Sequence, residues 1–99
     1  MEGRASISSD IIASYAADAA RDVDGIDGLV ESRIPPHRGV RVSDAEGRIT
    51  VELHVRIEWG ASIPDVGRSV QGCVRDYLTR MADVDLAGVD VVVDEIGAP

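Results

Sequence analysis

The chain has one cysteine, no lysine and no phenylalanine, and aromatic residues make up only 3 % of its 99 positions. A lone Cys73 excludes an internal disulfide, so stability must come from apolar burial. No basic-then-apolar leader opens the sequence, and with the missing disulfide this points to a reducing cytoplasm. No apolar run approaches the roughly 20 residues that span a bilayer, which argues against direct membrane insertion. Positive charge is scarce: ten basic residues, all Arg, stand against eighteen acidic ones, for a net charge of −8. That balance disfavours a grip on phosphate backbones, so no nucleic-acid partner is expected. What remains is a 44 % apolar chain, globular in composition and sized for a single domain over residues 1–99.

Periodicity supplies the elements. From Ser8 to Val23, apolar residues at Ile11, Ile12, Tyr15, Ala16, Ala19, Ala20 and Val23 follow the rows of one helix face. Ser8 suits the N-cap, Ile7 with Ile12 suits a hydrophobic staple, and Gly25 suits a left-handed stop. Leu29 to Arg33 has the makings of a short strand, but Pro35-Pro36 makes Gly28 to Gly39 read mostly as loop. Arg48 to Trp59 then alternates strictly, with Ile49, Val51, Leu53, Val55, Ile57 and Trp59 on one side. Thr50, Glu52, His54, Arg56 and Glu58 fall on the other, so one face is buried and one wet. Val40 to Ser43 repeats the pattern briefly, and Asp44 to Gly47 reads as the hairpin connection. Ser62 opens a second helix, with Pro64 in its first turn and Asp65 placed for a capping box. Its expected apolar stripe is Ile63, Val66, Val70, Cys73, Val74, Tyr77, Leu78 and Met81. Val89, Val91 and Val93 mark a last strand running to Glu95.

The order helix-strand-strand-helix-strand predicts an α/β (α+β) fold. Two helices cover one face of a small mixed sheet, whose long and last strands are parallel through a right-handed crossover. The wet face should present Arg41, Glu52, His54, Arg56 and Glu58, with Asp90, Val92 and Asp94. Val40–Ser43 and Val89–Glu95 are the candidates for an exposed edge strand that could pair with another chain. Proline at Val42 or at Val92 is expected to block such pairing.

Chemistry is thin. His37 follows two prolines with no nucleophile near it, and Glu52 with His54 offers two metal ligands where three are usual. Ser69 lies in Gly-Arg-Ser-Val-Gln-Gly, which does not meet the Gly-x-Ser-x-Gly pattern of a nucleophile elbow. Cys73 reads as a buried thiol within the helical stripe, and Trp59 as the plug at the end of the core. Asp22 to Asp27 fails as a calcium loop, because glycine is fourth and Arg33 occupies the twelfth position. Gly25-Ile26-Asp27-Gly28 matches the Gly-x-x-Gly of K-homology domains, whose second topology has a similar element order. A nucleic-acid-binding domain of that topology is therefore the alternative function, opposed by three aspartates crowding the loop. No catalytic, cofactor-binding or metal residue is assigned, and no cofactor is expected.

Three stretches together resemble one family. The first holds Ile7-Ser8, Ile11-Ile12-Ala13, Ala16-Ala17, Ala19-Ala20 and Val23-Asp24-Gly25-Ile26-Asp27-Gly28-Leu29. The second holds Gly39-Val40-Arg41-Val42, Ile49 to Ile57, and Trp59-Gly60-Ala61-Ser62-Ile63-Pro64-Asp65-Val66. The third runs from Val70-Gln71 through Met81 to Val89-Asp90-Val91-Val92-Val93. With these the chain resembles the alkaline shock protein family of bacterial envelope stress response proteins, over about residues 7 to 96. It departs at Met81-Ala82-Asp83-Val84, where members commonly read Met-Thr-Gly-Leu. The resemblance implies a non-enzymatic cytoplasmic interaction or scaffold module that acts in the general stress response through protein–protein contact. It also implies self-assembly into an oligomer, and membrane proximity through a membrane-anchoring protein partner.

Overall fold

The computed structural model describes residues 7–99. Helix α1 (Ser9–Arg21) starts where expected, with the Ser8 hydroxyl accepting from the Ile11 N–H at 3.3 Å. It ends two residues before Val23, whose apolar side chain is buried in the turn beyond the helix rather than on its last coil. Gly25 takes φ +94° in that turn, and a Cβ there would fall 2.6 Å from Val66 Cγ2. A side chain at this position would therefore be strained and would also push against the start of the second helix.

The stretch from Gly28 to Gly39 is more structured than its prolines suggest. Strand β1 (Ile26–Leu29) pairs antiparallel with the end of the long strand, and the two-residue strands β2 (Ser32–Arg33) and β3 (Pro36–His37) pair with each other. β4 (Val40–Ala45) and β5 (Arg48–Ile57) form the expected hairpin, joined by two residues rather than four. Glu46 and Gly47 both take positive φ, 55° and 84°, the mirror-image turn whose twist suits a right-twisted hairpin. Helix α2 (Ile63–Ala82) is capped by Ser62, which accepts from the Asp65 N–H, and it closes on Asp83 in the left-handed conformation. β6 (Leu86–Ile96) is longer than its valines alone mark.

β5 is the centre of the four-stranded sheet, and β6 runs parallel along one side of it. Along the other side lie β4, opposite the first half of β5, and β1, opposite its last residues. His54 marks the gap: its N–H donates to the Gly39 carbonyl and its carbonyl accepts from the Val30 N–H, both at 2.8 Å. β1 and β4 are thus one edge strand, interrupted at His54 by the excursion of residues 31–38. Both helices pack on the face where Val51, Leu53, Val55 and Ile57 are completely buried. Ala16 and Ala20 of α1 and Val66, Val70, Val74 and Leu78 of α2 close that core.

Five apolar residues depart from expectation, among them Ile11 of α1, which lies beside the buried row of Ile12, Ala16 and Ala20 and is 46 % exposed. Trp59 is 63 % exposed, because β5 ends at Ile57 and alternation has no meaning past a strand's end. α2 buries a single i, i+4 row against the sheet, so Cys73 is exposed and Ile63 and Met81 are about half exposed. The helix beside it is rich in alanine, and small side chains cannot reach out to cover a wider stripe. Tyr77 is covered only in part, edge-on to Tyr15 with ring centroids 5.6 Å apart.

Candidate functional site

The open face of the sheet carries the polar residues that alternation assigned to it, now joined in a network. Arg56 donates two hydrogen bonds to Glu95 Oε2, at 2.6 and 3.0 Å. Arg41 on β4 stands 3.9 Å from Glu52 on β5. The His54 ring bridges Glu52 Oε2 at 2.8 Å and Asp94 Oδ2 at 2.7 Å. The last contact depends on an irregularity: Val55 pairs with Val93 but Arg56 with Glu95, leaving Asp94 as an extra residue. Such a bulge sends two successive side chains to one face, so Asp94 reaches His54 while Glu95 reaches Arg56.

His54 is less solvated than strand alternation implies, with only 16 % of its side chain exposed. The cover comes from His37, whose ring stacks on it with centroids 4.5 Å apart and planes at 29°. Burial pulls the His54 pKa down, but its hydrogen bonds to Glu52 and Asp94, with their charges, outweigh that and raise it above the ordinary value. Reciprocally, the hydrogen bond from His54 holds the Glu52 carboxyl below its usual range. Glu52 and His54 bond to each other instead of converging on a vacant position between them. Among the described residues no group of three or more His, Cys, Asp or Glu is arranged to hold a metal ion.

The two sheet edges are the other feature with chemistry. The bonds at His54 fix the phase of β5: its even residues bond toward β4 and its odd residues toward β6. It follows that Val40, Val42 and Asp44 of β4 turn their main-chain N–H and C=O groups outward. On β6 the outward set is Val89, Val91 and Val93, and the Gln71 amide indeed donates to the Val89 carbonyl from outside the sheet, at 3.1 Å. Val92 instead directs its N–H toward β5. A proline at Val92 would break the native sheet, so Val91, not Val92, is the position that tests the edge.

Beside the β4 edge run two adjoining grooves of about 190 and 700 Å³ that share Ala13, Arg38 and Val40. A third, of about 350 Å³, lies between the helices, where Cys73 meets Asp18, Asp22, Asp76 and Arg80. Gly25 and Gly28 flank the entry into β1, with φ of +94° and +133°. They therefore shape a turn and an edge strand, not the free clamping loop that Gly-x-x-Gly forms in a K-homology domain.

Fold and site together define a helix-covered mixed sheet with two accessible edges and a charged open face. The chain belongs to the alkaline shock protein family, described by its cell envelope-related function, whose model matches residues 1–98. The resemblance seen in the sequence is therefore correct. The uncharacterized protein YqhY of Bacillus subtilis (strain 168) is 29 % identical over 99 residues, covering 90 % of this chain and 73 % of that protein. The uncharacterized protein Spy1535 of Streptococcus pyogenes serotype M6 is 27 % identical over 56 residues, 57 % of this chain and 43 % of that protein. Among solved structures, MamM-CTD H264A superposes with a TM-score of 0.62 at 11 % identity, over 92 % of this chain and all of that one. The cadmium form of MamM CTD H285D gives 0.58 at 12 % identity, over 87 % and 94 %. At such identity the likeness is one of fold alone.

Proposed function

We propose that the protein serves its envelope-related role as a non-enzymatic assembly module, pairing the β4 edge of one copy with the β6 edge of another. The observation that carries this reading is the opposite charge of the two edges. β4 and the excursion before it, residues 32–45, hold Arg33, Arg38 and Arg41 against a single acid, Asp44. Residues 83–99, around β6, hold Asp83, Asp85, Asp90, Asp94 and Glu95 and no base. Main-chain groups turned outward on Val42 and on Val91 can bond whatever the side chains are, while charge selects the unlike edge over the like one. Val40 and Val42, with Ala13 and Ala17 of α1, offer an apolar floor beside the β4 edge for the valines of an added strand. Pairing of unlike edges is head-to-tail, so it builds open chains or rings rather than two-fold dimers. The envelope-related function of the family supports a site of action near the membrane, reached through an anchoring partner. No helix among the described residues is long and apolar enough to cross it.

Sedimentation velocity over a range of protein and salt concentrations tests the reading. Val42→Pro and Val91→Pro should each abolish chain growth while circular dichroism stays native. A mixture of the two should form a one-to-one complex and nothing larger, because each variant retains one complementary edge. A dimer of Val42→Pro alone would mean that β6 pairs with itself. A monomer at every concentration and low salt would remove the proposal.

A further inference from the structure

The hydrogen bonds around the stacked histidines assign a proton to each ring. Both nitrogens of His54 face carboxylate oxygens, Asp94 at 2.7 Å and Glu52 at 2.8 Å. An ionised carboxylate only accepts, so both contacts need an N–H, and only the doubly protonated ring has two. His37 is the opposite case: its Nδ1 lies 3.0 Å from the Gly39 N–H, which only donates, so that nitrogen presents its lone pair. The stack is therefore a neutral ring lying on a cationic one. Loss of one proton from His54 would leave a lone pair pointing at a carboxylate, and one of the two bonds must then break.

These two rings sit where the structure is interrupted. His54 is the residue of β5 opposite the gap between β1 and β4, and its main chain bonds both lips of that gap. His37 is the part of the excursion that returns to cover the sheet. Asp94 is the extra residue of the β6 bulge. We propose that the His54 imidazolium is a proton-operated latch, holding the 31–38 excursion to the open face through His37 and the β6 bulge to β5 through Asp94. Loss of its second proton breaks one carboxylate contact and removes the cation beneath the His37 ring, so both attachments weaken.

The charged groups around His54 come from every strand packed beside it. They are Glu52 from its own strand, Asp94 from β6, His37 from β3, and Arg41 from β4 behind Glu52. Arg56, further along the same face, is engaged by Glu95. The helices lie on the other face. Two anions against one nearer cation favour the charged ring. Since the folded-state pKa is raised above the ordinary 6.5, the latch contributes fully below that pH and is lost as pH rises through the higher folded value.

The latch is independent of the edge-pairing proposal, because its test reads one chain. Nitrogen-15 NMR of the full chain should show both ring nitrogens of His54 protonated at about pH 6, with a titration midpoint above 6.5. Amide protection factors for residues 30–39 should fall as His54 deprotonates, with the same midpoint as its ring titration. Asp94→Asn, which removes a charge but keeps an oxygen acceptor, should lower the midpoint and move the loss of protection with it. His37→Ala should leave the His54 midpoint raised yet remove the pH dependence of protection in 30–39. A neutral His54 below its ordinary pKa, or protection of 30–39 that does not follow its titration, would overturn the latch.

Discussion

The Gln71 side chain donates from an exposed position on α2 to the main-chain carbonyl of Val89, 3.1 Å away on the outer edge of β6. This is the one outward acceptor of that strand held by the chain's own side chain among the described residues. A side-chain cap of this kind blunts an edge without a covering element. It leaves the outward main-chain groups of Val91 and Val93, further along, open for the pairing proposed above.

Removing the cap should therefore act on association more than on folding. Gln71→Ala leaves an acceptor that water can reach, so its stability cost should stay near the low end of the roughly 0.5–1.5 kcal/mol typical of one hydrogen bond. Association measured by sedimentation should become tighter, because the free edge is longer by one acceptor. Weaker association with unchanged stability would show that Gln71 contributes to the contact instead of restraining it.

The part of this architecture legible in the sequence is the part where one face is buried and one is wet. Ile49 to Ile57 alternates because α1 and α2 cover one side of β5 only, and Leu53 lies at the centre of that core. Ser8 and Ser62 announce both helices because an N-cap needs only local chemistry. β1 has no such local mark: two apolar residues become a strand because the end of β5 offers free pairing groups. The width of α2's buried stripe depends on its neighbour, and the helical period alone assigns Cys73 and Val74 alike. For the open-face network, the Glu52–His54 spacing shows that these two share a face. The approach of Asp94 depends on the parallel register with β6 and on its bulge, which no local pattern encodes. The adjacent acids Asp94-Glu95, breaking an alternation of valines, are the one signal pointing to it.

Gly25 makes a sharper stability prediction than any core residue. Alanine there would combine an unfavourable φ with a Cβ at 2.6 Å from Val66 Cγ2. Together these should cost about 2–4 kcal/mol, the sum of a left-handed backbone penalty and modest overpacking. For a domain of this size the melting temperature should drop by about 8 °C or more. Gly72 is the control: it lies within α2, nothing stands within 4 Å of an added Cβ, and its φ is not positive. Gly72→Ala should raise stability by about 0.5–1 kcal/mol. Equal effects at the two positions would mean that α1's end does not approach α2 as closely as this structure has it.

The exposed positions of Cys73 and Trp59 are the least expected features of the apolar pattern, and both can be read optically. Cys73 opens into the groove between the helices, beside Asp76 and Tyr77. A thiol reagent should therefore modify one equivalent per native chain at a rate within a few-fold of that in denaturant, where a core thiol would wait for unfolding. Cys73→Ser should change stability by less than about 0.5 kcal/mol, as for surface substitutions generally. Trp59, at 63 % exposure, should emit as a solvated indole in the native protein and be quenched freely by acrylamide. Unfolding should then shift its emission little, and the transition must be followed by circular dichroism instead. A protected thiol, or a large red shift of Trp59 on unfolding, would place these side chains in the core, as their spacing alone first implies.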